Sequence, residues 1–106
     1  MGKHISRQIS LKEFYTEWIY MIVRVSRITL ILPSRSLKEK RGILKSVIER
    51  VSNRFKVSIA EVDSNDMPDI GVLGLAVVST KSRHAESVLN KSIMFLENSR
   101  PDVEVS

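Results

Sequence analysis

Apolar positions along the chain fall into two kinds of pattern, short β-branched runs and stripes at helical spacing. Residues 21–32, MIVRVSRITLIL, are rich in β-branched side chains and stop at Pro33, which predicts a strand with a firm end. Ile28, Leu30 and Leu32 share one parity and Val23 and Val25 the other, so both faces are apolar and the strand belongs in the middle of a sheet. Ser36 then stands three residues before Glu39, the spacing of a capping box, and Leu44, Val47, Ile48 and Val51 follow at i, i+3, i+4 and i+7. That segment predicts a helix. Residues 55–63, FKVSIAEVD, alternate as a strand does, and Ser64, Asn65, Asp66, Pro68 and Asp69 supply a turn.

Residues 70–79, IGVLGLAVVS, are again apolar on both faces, with Gly71 and Gly74 weakening the strand locally or admitting a close neighbour. Ser82 is placed to cap a second helix, in which Ala85, Val88, Leu89, Ser92 and Leu96 line one face and which ends over residues 98–101. Val103 and Val105 alternate with Asp102 and Glu104, enough for a strand barely long enough to pair. The order from residue 21 onward is β-α-β-β-α-β, which predicts an α+β, ferredoxin-like domain: a four-stranded antiparallel sheet with two helices on one face. Right-handed crossovers put the first and third of these strands in the centre, in agreement with their apolar character on both sides. The other sheet face is left uncovered.

Residues 1–20 read as an N-terminal extension to a domain spanning residues 21–106. Ser10 and Glu13 repeat the capping-box spacing, and Leu11, Phe14, Tyr15, Trp18 and Ile19 gather on one side of a helix, so either a short amphipathic helix or a disordered segment is expected there. Lys12, Glu13 and Glu17 interrupt any secretory h-region, and the two glutamates oppose a seat on an anionic membrane. No membrane partner is expected.

The length of 106 residues leaves space for one core, and 42% hydrophobic with 27% charged residues is the composition of a folded domain. With no cysteine, stability must come from packing or self-association, and a cytoplasmic setting is the expectation. The formal net charge of +5 is unevenly spread. Residues 35–56 hold eight basic against two acidic side chains, a local balance of +6, whereas Glu61, Asp63, Asp66 and Asp69 give −4 over residues 57–69.

The segment Arg35-Ser36-Leu37-Lys38-Glu39-Lys40-Arg41 breaks a local rule, because cations in a helix's first turn oppose the positive end of the macrodipole. Free N–H groups there favour an anion, and Arg35, Ser36, Lys38, Lys40, Arg41 and Lys45 are the candidate phosphate- or nucleic-acid-binding residues. Projection at ~100° per residue sets Lys38, Arg41 and Lys45 on one flank as a ridge suited to a phosphodiester backbone, while Lys40 points to the apolar side. A solvated face that merely aids solubility accounts for the same pattern equally well. Neither central strand carries Phe, Tyr or Trp, so base stacking on the sheet is not expected and binding would act through shape and phosphates.

No catalytic set is visible. The acidic cluster matches no ligand loop of defined spacing, His4 and His84 have no spaced partners, and Gly71 and Gly74 are followed by no Lys-Ser/Thr of a phosphate loop. No metal and no cofactor are expected.

The string SRSLKEKRGILKSVIERVSNRFKVSIAEVD, continued by GLAVVSTKSRHAESVLNKSIMFLE, resembles the YlxP-like family of small bacterial proteins, a domain of unknown function. The resemblance covers roughly residues 21–106. It implies a ferredoxin-like fold and a bacterial cytoplasmic protein. Family genes often sit beside translation and ribosome-maturation genes, which turns the expected polyanionic partner towards RNA or the ribosome. Members usually begin near Met21, and their last strand is fuller than residues 103–106 allow. The leading expectation is a non-enzymatic RNA- or ribosome-associated factor acting through the first helix. The alternative is a homo-oligomeric module, a homodimer or small-ligand binder, using the open sheet face. An enzyme for a phosphate-bearing substrate at Ser36 is the third and weakest reading.

Overall fold

The computed structural model describes the backbone of residues 7–15 and 20–106, and the side chains from residue 21 onward. The elements run β1 (Arg7–Tyr15), β2 (Tyr20–Ile31), α1 (Leu37–Arg54), β3 (Ser58–Asp63), β4 (Ile70–Ser79), α2 (Ser82–Ser99) and β5 (Glu104–Val105). From β2 onward this is the ferredoxin-like α+β order, one antiparallel sheet with β2 and β4 at its centre and β3 beside β4.

Register explains which face is buried. In the β2–β4 ladder Ile28 stands opposite Leu73, and Ser26 opposite Leu75. These residues share the buried face with Leu30 and Val77, against Leu44, Val47 and Val51 of α1 and Ala85, Leu89, Ile93 and Leu96 of α2. Both helices therefore cover one side. On the other side Val25, Ile31 and Val78 stay exposed. The core is aliphatic apart from Phe55 and Phe95, which meet edge to face at 5.7 Å under the Arg54 guanidinium.

The extension departs from expectation. Residues 7–15, five of which fall in the expected helix, form an antiparallel strand from Arg7↔Ile28 to Tyr15↔Tyr20. The rest of that helix, residues 16–19, lies outside the described residues. The unpaired outer edge of β2 gives the extension a hydrogen-bonding partner, and such tertiary pairing overrides helical spacing. β5 takes the other end of the same edge, with Leu30↔Val105 and Ile31↔Glu104, and Ser106 exchanges backbone hydrogen bonds with Thr29 at 2.7 and 3.0 Å. The first and last strands thus share one edge end to end, and the short final strand leaves β2 paired along its length. Residues 7–15 therefore add a strand at the edge of the sheet.

The helix starts differ in detail. Ser36 caps α1 as its spacing predicts, its Oγ accepting from the Glu39 N–H at 3.1 Å. The Glu39 carboxylate reaches one residue further back than a capping box requires and accepts from the Arg35 N–H at 3.3 Å. In α2 the N-cap is Lys81, not Ser82, and no side chain caps it.

Candidate functional site

The start of α1 is built by its burial stripe. Lys40, Leu44, Val47 and Val51 turn inward, which forces Lys38, Arg41 and Lys45 onto the solvent side, and Arg35 in the preceding loop is exposed as well. No carboxylate of the described residues forms an ion pair with any of these four. Gly42 lies on the same ridge between Lys38 and Lys45, and a Cβ there would meet nothing within 4 Å. The helix therefore presents a notch flanked by cations.

Lys40 does not belong to this surface, and here the six-residue binding set requires correction. Its side chain is 2% exposed, and Nζ donates to the carbonyls of Ser64 at 2.6 Å and Met67 at 2.7 Å. Glu61 Oε2 lies 3.0 Å away, at ion-pair distance but outside the angles of a hydrogen bond. An ammonium so committed has no capacity left for a phosphate. The helical period decides this, since a residue four before Leu44 and seven before Val47 must face the sheet. Lys40 instead fixes the β3–β4 turn, in which Ser64 takes a left-handed φ of 55° and whose far side is held by Ser34 Oγ donating to the Pro68 carbonyl at 2.6 Å.

A residue that the sequence did not single out joins the ridge. Arg100, the C-cap of α2, lines a shallow groove of about 470 Å³ with Lys38, Glu39, Gly42 and Ile43. Its guanidinium donates to both carboxylate oxygens of Asp102, at 2.9 and 2.7 Å, and this hydrogen bonding raises its pKa above the ordinary arginine value. Nothing local marks Arg100. Topology alone brings the end of α2 beside the start of α1.

The acidic cluster is dispersed into separate roles: Glu61 faces Lys40, while Asp63 accepts from Arg27 at 2.7 Å. Among the described residues no group of three or more His, Asp or Glu is disposed to hold a metal. His84 is exposed near the start of α2, and His4 lies outside the described residues. No described helix is long and apolar enough to cross a membrane.

Fold and surface together define a small ferredoxin-like α+β domain whose first helix carries outward cations that no described carboxylate pairs. The family described as "Protein of unknown function (DUF503)" matches residues 23–106, and the chain belongs to that family. It is also 37% identical over 75 residues to "Uncharacterized protein YlxP" of Bacillus subtilis (strain 168), a likeness covering 71% of this chain and 80% of that protein.

Proposed function

We propose that this protein is a non-enzymatic, cytoplasmic RNA-binding accessory factor, with the ribosome as its natural RNA, and that it grips phosphates with the outer face of α1. One observation supports the reading most: Arg35, Lys38, Arg41 and Lys45 are exposed and their side chains form no ion pair with any described carboxylate, while Arg24, Arg27, Lys40 and Arg100 each pair with one. Ser36 contributes as the cap that holds the first turn in place. Arg100 stands across the groove from Lys38. Cations in a first turn cost ~0.3–1 kcal/mol each where exposed, a cost that a bound phosphate reverses. Among the described side chains none on the open sheet face is aromatic, so recognition acts on shape and backbone.

Binding to ribosomal RNA fragments, followed by fluorescence anisotropy across a salt series, tests this reading. Four phosphate contacts give a slope of log K against log[salt] of about −3 for single strands. A slope near zero, or no binding at low salt, overturns it.

A further inference from the structure

The open face of the sheet is not uniformly ridged. Two neighbouring cross-strand rows run Val25–Ala76–Ser58 and Arg27–Gly74–Ala60, so small residues stand together in the middle of the face. They form the floor of a hollow of about 460 Å³. Val62 borders it, close enough that a Cβ on Gly74 would lie 3.0 Å from its Cγ1. Val78, two residues beyond Ala76 on β4, is 65% exposed and stands proud of the face, as does Val62 at 54%. Among the described residues lining the hollow the one charge is Arg27, which pairs with Asp63 at 2.7 Å and is neutral with it as a unit.

We propose that this face pairs with the same face of a second copy of the chain, forming a two-fold dimer in which the two sheets stack and the helices lie outside. Isologous pairing requires a surface that is its own complement, and this one carries projecting valines beside a hollow floored by Gly74, Ala60 and Ala76. Val78 of one copy fills the hollow of the other. The Arg27–Asp63 pair is neutral and opposes neither copy. Size agrees as well. Strands of 9, 12, 10 and 6 residues at ~3.3 Å per residue and ~4.8 Å spacing give ~600 Å² of flat face, which side-chain relief raises towards the ~800 Å² per partner of a standard interface. The ridge on α1 faces away from this surface, so pairing is independent of phosphate binding and presents two ridges per dimer.

Sedimentation equilibrium of the full chain from about 1 to about 100 µM, at low and high salt, reads the assembly directly. A dimer mass that persists in high salt is expected. Val78→Lys, at a position already exposed in the monomer, should weaken the dimer at least tenfold, whereas Lys38→Glu should leave it unchanged. Because the chain has no cysteine, Val78→Cys adds a single thiol whose labelling should slow as protein concentration rises. A monomer throughout the range overturns the proposal, including one that gains mass only with a different protein. So does a dimer indifferent to Val78→Lys, or a thiol labelled at the same rate at every concentration.

Discussion

Lys40 on α1 stands 3.0 Å from Glu61 on β3, and its ammonium also holds the carbonyls of Ser64 and Met67. One side chain thus pins a helix, an edge strand and the turn that follows it. Replacing it by methionine keeps the aliphatic stem but leaves the Met67 carbonyl and a carboxylate that is 25% exposed without their cation, while the Ser64 carbonyl keeps only the Met67 N–H. Stranded buried acceptors cost ~1–3 kcal/mol, so Lys40→Met should destabilise by about 2–3 kcal/mol, a fall of ~10–20 °C in Tm. Glu61→Gln leaves the two carbonyl bonds in place and should cost about 1 kcal/mol. Thermal melts showing Lys40→Met no worse than Glu61→Gln contradict this role.

Lys40 also marks how far the sequence carries. The central positions of β2 and β4 were legible because both parities of residues 21–32 and 70–79 are apolar, and α1 because its stripe and Ser36 agree. Helical projection already turns Lys40 to the apolar side, but the oxygens of Glu61, Ser64 and Met67 that hold it there lie over twenty residues away, beyond any local pattern. The strand at residues 7–15 was hidden because Leu11, Phe14 and Tyr15 satisfy helical spacing, and only the vacant edge of β2 decides between the two. Arg100 was hidden for a simpler reason: it is about sixty residues from the cations it joins.

Charge reversal on the ridge separates binding from folding by sign. Lys38→Glu and Arg41→Glu place anions near the positive end of α1, which favours the helix by ~0.3–1 kcal/mol each. The double variant should melt slightly higher than wild type. Its RNA affinity should fall by roughly tenfold or more at low salt, equally for unrelated sequences, with a shallower salt slope. Loss of affinity accompanied by loss of stability would point to disrupted folding instead.

The glycines predict opposite outcomes. A Cβ on Gly42 meets nothing within 4 Å in the interior of α1, so Gly42→Ala should stabilise by ~0.5–1 kcal/mol through helix propensity alone. On Gly74 the added carbon lies 3.0 Å from Val62 Cγ1, a stiff β-branched neighbour, and Gly74→Ala should destabilise by ~1–2 kcal/mol. Urea midpoints of the two variants on either side of wild type are the expected result. Equal shifts would show that the contact at Val62 relaxes freely.

The shared edge of β2 yields the last prediction. β1 pairs residues 20–28 of that strand, and β5 with Ser106 pairs residues 29–31. A chain beginning at Tyr20 keeps both helices, β4 and the buried face, so it should fold. Its loss in stability should be only about 1–2 kcal/mol, because ordering nine residues offsets most of what their hydrogen bonds contribute. The amides of β2 that faced β1 lose their acceptors, and every second amide over residues 20–28 should exchange with solvent much faster. Leu30 and Ile31, still beside β5, should keep their protection. An unpaired strand edge also invites pairing between molecules, so the shortened chain should aggregate at lower concentration than the full one. Exchange rates over residues 20–28 that do not change on truncation would show that β1 is not held against β2 in solution.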